Sequence, residues 1–296
     1  VNIVITGAGG QLGHDLIRVL GSSGEHRVSA MSRQELDVTD ENAVFKAIAA
    51  IRPEVIIHAA AYTQVDLAES HMEEAYMVNS FGTRNVALAA AQTGAKLVYI
   101  STDYVFDGTK RIPYTESDRT NPISIYGNSK LHGEKFVQIT CERYYIVRTS
   151  WLYGKHGTNF VTKVLSWAEQ KEELKMIHDQ FGSPTYTYDL ARFIHQLIAT
   201  EHYGIYHAAN RGACSRLEFA REILRLAGKS HIKLQPVSSD QFPTPARRPE
   251  YSVFDAKAIR ENGLEPLPPW QEALRMFLEE DLPGNQQGEG SGNGQN

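Results

Sequence analysis

The chain has 296 residues, 42% of them hydrophobic, which is enough for one large core or two modest ones. Its net charge of −5 mixes both signs and excludes the basic footprint of a nucleic-acid or membrane-surface protein. Its two cysteines, Cys141 and Cys214, lie far apart and outside any CxxC, which excludes a disulfide framework or thiolate zinc site.

No apolar run is long enough to span a bilayer and no signal peptide precedes the first strand, so the expectation is a soluble cytoplasmic protein. Residues 1–6, VNIVIT, have the apolar run of a buried parallel strand. Gly7, Gly10 and Gly13 follow, with Gln11 and Leu12 opening an amphipathic helix through Leu16, Val19 and Leu20. Strand, glycine turn and helix together suit a dinucleotide pyrophosphate at a helix N-terminus, although the spacing is GxxGxxG rather than GxGxxG.

A second strand near Arg27–Met31 ends in Ser32-Arg33. An acid here would hold ribose hydroxyls; Arg33 suits a 2′-phosphate and points to NADPH, with NADH the alternative, while Glu35 and a plain solvated turn compete with that reading. The Asp37 carboxylate, next to Val38, could accept from an adenine amino group, and Asp40 reads as the N-cap of a helix over 41–51. EVIIH, 54–58, is the third strand; the small residues after it, then Ala61, Tyr62 and Thr63, let a cofactor lie against the backbone. His58 has no second histidine at metal spacing and reads as packed or hydrogen-bonded. One long helix is expected from Val65 to Gln92, then a fourth strand, KLVYIS, ending at Ser101, Thr102 and Asp103. Loop 107–124 is too long for a simple connector and reads as a substrate-side loop.

Tyr126 and Lys130 stand one helical turn apart on one face. An ammonium there would lower the phenol pKa, and the phenol would pass a proton to an alkoxide forming from a ketone; a hydroxyl from Thr102 would grip the same oxygen. Tyr and Lys at this spacing are more often surface decoration, so the pair gains meaning only from the motifs around it.

Those motifs resemble the extended short-chain dehydrogenase/reductase superfamily: a glycine turn after the first strand, a Ser/Thr after the fourth, then YxxxK. Closer still, GQLG (10–13), AAAYT (59–63), STDYVFDG (101–108), RTSW (148–151), Asn159-Phe160 and DQFGSPT (179–185) resemble the dTDP-4-dehydrorhamnose reductase family over about residues 1–282. The resemblance implies a catalytic set of Tyr126, Lys130 and Thr102. It implies cofactor contacts from the glycine turn, Asp37, Val38 and Ala61 to Thr63, and from Tyr126 and Lys130. Asp103, Trp151 and Arg248 would contact a dTDP-sugar substrate. The family pattern leaves the coenzyme open, so NADPH rests on Arg33. Asp103 is followed by Tyr104 rather than by the second acid of a 4,6-dehydratase, and Val105-Phe106-Asp107 does not fit the 4-epimerase pattern.

The second half yields a fifth strand, YYIVR (144–148), then Trp151, which reads equally as a sugar-stacking or a core aromatic. Helical periods over 160–168, 189–200 and 217–227 alternate with extended pieces, and Trp270–Glu280 closes the chain as a helix. Pro243–Pro249 is a braced loop whose adjacent Arg247 and Arg248 suit a diphosphate, against a solubilising role, and the resemblance favours Arg248.

The expected architecture is α/β: a doubly wound parallel Rossmann-type sheet of order 3-2-1-4-5-6, with a smaller α/β substrate lobe. Residues 1–150 form the dinucleotide-binding domain, with later segments returning to it; 151–282 are mostly substrate lobe and 283–296 a disordered tail. The expected reaction is reduction of the C4 ketone of dTDP-4-dehydro-6-deoxy-L-mannose to dTDP-L-rhamnose. The alternatives are a related sugar-nucleotide reductase or epimerase, and a non-catalytic regulatory subunit like the methionine adenosyltransferase beta subunit. No metal is expected; the chain is read as a monomer or homodimer.

Overall fold

A computed structural model describes residues 1–22 and 24–282; the tail expected at 283–296 lies outside the described residues. Six parallel strands form the central sheet: β1 (Asn2–Thr6), β2 (Arg27–Met31), β3 (Val55–His58), β4 (Lys96–Thr102), β5 (Tyr144–Thr149) and a last strand, Gly204–His207. The doubly wound α/β class is as expected. One face packs on helices Gln11–Ser22 and Thr187–Ile198 through Leu16, Leu20, Leu190 and Ile194. The other packs on Glu41–Ile51 and Thr83–Thr93 through Val44, Ile48, Val86 and Ala90.

The strand order corrects the expectation. β3 lies between β1 and β4, and β2 is the outer strand, so the chain runs 2-1-3-4-5 and then Gly204–His207. Burial explains the difference. β3 is VIIH with every residue buried, so it needs a neighbour on both sides, whereas β2, RVSAM, is nowhere fully buried and tolerates an edge. The crossover that splits the sheet therefore opens between β1 and β3.

The helix expected from Val65 to Gln92 is broken into Val65–Ala68, Met72–Tyr76, a π-turn over Met77–Gly82 and Thr83–Thr93. Gly82 lets this segment pack closely on the loop after β2: a Cβ there would sit 2.8 Å from the Val38 side chain. Residues of the second half build their own core from Tyr153, Val161, Leu165, Phe219, Leu224 and Phe277. Among the described residues no helix is long and apolar enough to cross a membrane.

Candidate active site

A cleft of about 1410 Å³ runs along the C-terminal ends of β1 to β5. Its lining takes Gly7, Gly10, Gln11, Leu12 and Gly13 after β1; Arg33, Asp37 and Val38 after β2; and Ala61, Tyr62 and Thr63 after β3. It continues with Thr102 and Asp103 after β4, Tyr126 and Lys130 from the helix Ile125–Thr140, and Trp151 after β5. Sequence-distant motifs thus meet at one edge because parallel strands all end on the same side. The loop 107–124 does not line this cleft: Tyr114 turns inward, stacks on Phe106 at 4.2 Å and pairs with Phe254.

The glycine turn meets the test for a bound dinucleotide. Gly7 has φ +73°, and a Cβ there would lie 2.5 Å from the Ala60 nitrogen; a Cβ on Gly13 would lie 2.5 Å from the Gly7 oxygen. Only bare backbone fits between β1 and β3, which leaves the helix N-terminus open to an anion. Asn159 caps its own helix, Phe160–Gln170, and its amide donates to Gln11 at 3.1 Å, tying the second half to the turn. After β2 the Glu35 carboxylate accepts from the Ser32 nitrogen at 2.7 Å, while Arg33 stands 84% exposed at the rim. Asp37 accepts from the Thr39 nitrogen at 2.9 Å and hydroxyl at 2.7 Å, which holds its carboxyl below the ordinary range. His58 is hydrogen-bonded as expected: Thr6 lies 2.7 Å and Thr83 3.1 Å from its ring nitrogens, and burial lowers its pKa to about 3.

Asn79, in the π-turn, was not found from sequence. Its amide accepts from the Tyr62 nitrogen at 2.8 Å, donates to the Tyr62 carbonyl at 3.1 Å and to the Ser129 hydroxyl at 3.0 Å. It thereby locks the loop after β3 to the helix that carries Tyr126. That helix starts where Ser124 accepts from the Gly127 nitrogen at 3.2 Å and Glu69 accepts from the Ile125 nitrogen at 2.9 Å. Tyr126 then falls in the first turn, edge-on to Tyr104 at 5.5 Å.

The electrostatics of the pair differ from the expectation. Burial pushes the Tyr126 phenol well above its usual pKa; Asp103 and Tyr104 add to this, and the Thr102 hydroxyl opposes it. Burial outweighs any acidifying effect of Lys130. Its ammonium lies 4.2 Å from the centre of the Tyr99 ring, and burial lowers its own pKa to about 7, with Glu134 opposing. Desolvation outweighs the one-turn spacing, so the phenol carries its proton at neutral pH. Asp103 is buried and accepts from Ser252 at 2.6 Å and Thr102 at 3.2 Å; desolvation raises its pKa to about 6.

At the β5 end, Trp151 lines the cleft with a left-handed backbone, φ +47°. One face of its indole carries the Arg216 guanidinium, 3.4 Å from the ring centre. Arg216 also lines the cleft and was missed from sequence, since it reads as an ordinary first-turn residue of the helix Arg216–Leu226. Arg248 does not line the cleft. Its guanidinium is bidentate on Asp66 at 3.0 and 2.7 Å, with Thr244 and the Ala246 carbonyl also engaged. Glu25 and His26, just before β2, and His195, in the helix Thr187–Ile198, offer ligand atoms within 4.8 Å of one another and do not line the cleft.

Known proteins are similar to this chain over nearly its whole described length. The family model described as the RmlD substrate binding domain matches residues 1–282. The dTDP-4-dehydrorhamnose reductase of Mycolicibacterium smegmatis is 42% identical, with 92% of this chain and 84% of that protein covered. Its Escherichia coli counterpart is 36% identical over 95% of this chain and 98% of its own. The crystal structure of the Bacillus anthracis reductase in complex with NADP superposes with a TM-score of 0.92 at 46% identity, covering 94% of this chain and 99% of that one. The Thermus thermophilus UDP-glucose 4-epimerase, 21% identical with a TM-score of 0.81, shares the fold. The chain belongs to the family of the RmlD substrate binding domain, whose similar members are named dTDP-4-dehydrorhamnose reductases.

Proposed function

We propose that this protein is an oxidoreductase that reduces the C4 ketone of dTDP-4-dehydro-6-deoxy-L-mannose to dTDP-L-rhamnose with NADPH. The observation that carries the reading is the meeting of Thr102, Tyr126 and Lys130 in one cleft beside an open glycine turn. Gly7, Gly10–Gly13, Arg33, Asp37, Val38 and Ala61–Thr63 would hold the dinucleotide, with Arg33 serving a 2′-phosphate. NADPH held by these residues would supply the hydride for the ketone carbon.

The protein's own part is to hold the ketone oxygen and return a proton to it. Thr102 and Tyr126 grip the oxygen from two sides, and as C4 is reduced the Tyr126 O–H bond breaks and its proton goes to the new alkoxide. A phenol kept protonated by burial suits this direction, because the proton is present when it is needed. Lys130, titrating near 7, compensates the charge left on the phenolate. Asp103 and Trp151 position the deoxysugar. Residues 151–282 serve mostly as the substrate-binding lobe. A retained Thr102, Tyr126 and Lys130 favours catalysis over a purely regulatory role.

The test is turnover of the enzymatically prepared keto sugar, with NADPH and NADH compared side by side and the product identified by NMR. Oxidation of NADPH with formation of the rhamnose configuration is expected. An epimeric product would assign a sister reductase, and absence of turnover with bound NADPH would sink the reading.

A further inference from the structure

Two cations line the cleft with no ion pair among the described residues, Lys130 and Arg216, and the proposed mechanism already uses Lys130. Arg216 makes neither a hydrogen bond nor an ion pair with any described residue, and its guanidinium lies over the rings of Trp151 at 3.4 Å and Phe160 at 5.2 Å. The acid that faces it, Asp103, is already bonded to Ser252 and Thr102. Burial lowers the Arg216 pKa to about 10, so it still enters the cleft as a full positive charge near neutrality. A desolvated guanidinium with an open fork is unfavourable on its own and is relieved by an anion. Its ring platform fixes the plane of the fork and excludes water from one face.

Its place along the sheet says which anion. The order 2-1-3-4-5 puts Arg33 at one end of the cleft, the glycine turn next to it, and Trp151 with Arg216 beyond Thr102 and Tyr126 at the other end. A dinucleotide running from Arg33 past the glycine turn to Tyr126 leaves the Arg216 end for the second molecule. Arg248 interacts with Tyr104 close by, but its fork is filled by Asp66.

We propose that Arg216, held flat on Trp151, binds the diphosphate of the nucleotide-sugar substrate, and that Arg248 is a structural partner of Asp66 rather than the diphosphate ligand. This rests on the nucleotide-sugar reading above. The test is equilibrium titration of the NADP-bound protein with thymidine, dTMP and dTDP, for the wild type, Arg216→Met, Arg216→Lys and Arg248→Met, alongside KM for keto sugar and NADPH. Arg216→Met is expected to weaken dTDP about 10- to 100-fold, the worth of a lost charge-assisted pair, and to raise the keto-sugar KM to match. Thymidine affinity and the NADPH KM should stay near wild type, with Arg216→Lys in between. If Arg216→Met does not fold, Arg216→Lys decides, by a loss for dTDP that thymidine does not share. A wild type that turns over while Arg216→Met, or failing it Arg216→Lys, keeps full dTDP affinity overturns this assignment alone, as does a dTDP loss confined to Arg248→Met. A wild type that neither binds dTDP nor reduces the keto sugar overturns the functional reading and this assignment with it.

Discussion

The indole of Trp151 occupies the space that a side chain on Gly182 would need: a Cβ there would lie 2.5 Å from Trp151 Cε2. The strained backbone of Trp151 leaves the ring little room to retreat. Gly182→Ala should therefore displace the ring that carries Arg216. We expect a higher keto-sugar KM, an unchanged NADPH KM and a stability loss of about 1–3 kcal/mol from overpacking. Steady-state kinetics and urea unfolding followed by tryptophan fluorescence check this; unchanged sugar KM would show that the indole does not face substrate.

Tyr126→Phe removes the only proton that the proposed reduction draws from the protein. The ring and its edge contact with Tyr104 remain, so folding and NADPH binding should persist while kcat falls about 100- to 10,000-fold. Single-turnover absorbance of NADPH measures the chemical step directly. Near-normal turnover would remove Tyr126 from the mechanism.

Beneath Lys130, Arg148 and Glu134 form a buried pair at 2.7 Å, and Ser101 donates to Glu134 at 2.5 Å. Arg148→Met would leave a buried carboxylate unpaired, at a cost of about 3–5 kcal/mol. Removing both charges in Glu134→Leu/Arg148→Met should cost much less, because desolvation offsets most of what such a pair gains. Urea unfolding of the three variants, including Glu134→Leu alone, closes the cycle. Additive losses would mean that the two charges do not compensate each other.

How much of this was legible follows from how far each signal reaches. Tyr126 and Lys130 share a helix, so their spacing alone places them together, and Gly7 and Gly13 sit between a strand and a helix that any reader can find. Strands were found by their apolar runs, but a run does not name its neighbour, so β3 was placed beyond β2 instead of beside β1. Asn79 was hidden by a π-turn inside a stretch with ordinary helical composition. Arg248 looked free because its partner, Asp66, lies 182 residues away. The charge state of the Tyr126–Lys130 pair was illegible for a related reason: spacing fixes proximity, but burial shifts both groups the other way.

Asn79→Ala tests the link that sequence did not reveal. It would free the Tyr62 backbone and the Ser129 hydroxyl together, at a cost of about 1–3 kcal/mol. Because Tyr62 lines the cofactor end, the NADPH KM should rise more than the keto-sugar KM. Equal changes in both would make Asn79 a general scaffold residue.

Asp103 gives the protein a pH signature. Its folded pKa is raised to about 6 from 3.8, mainly by burial, so the folded chain holds this proton more tightly than the unfolded chain does. The resulting stabilisation is fully present below about pH 3.8, declines as pH rises, and is lost above about 6; at most it is worth about 3 kcal/mol. Asp103→Asn cannot titrate, so stability of wild type relative to this variant should fall between pH 4 and pH 6 and then level off. Urea unfolding of both proteins across that range measures the difference and cancels the other carboxylates. Parallel curves would mean that Asp103 stays ionised throughout, and that the hydroxyls of Ser252 and Thr102 compensate its burial in full.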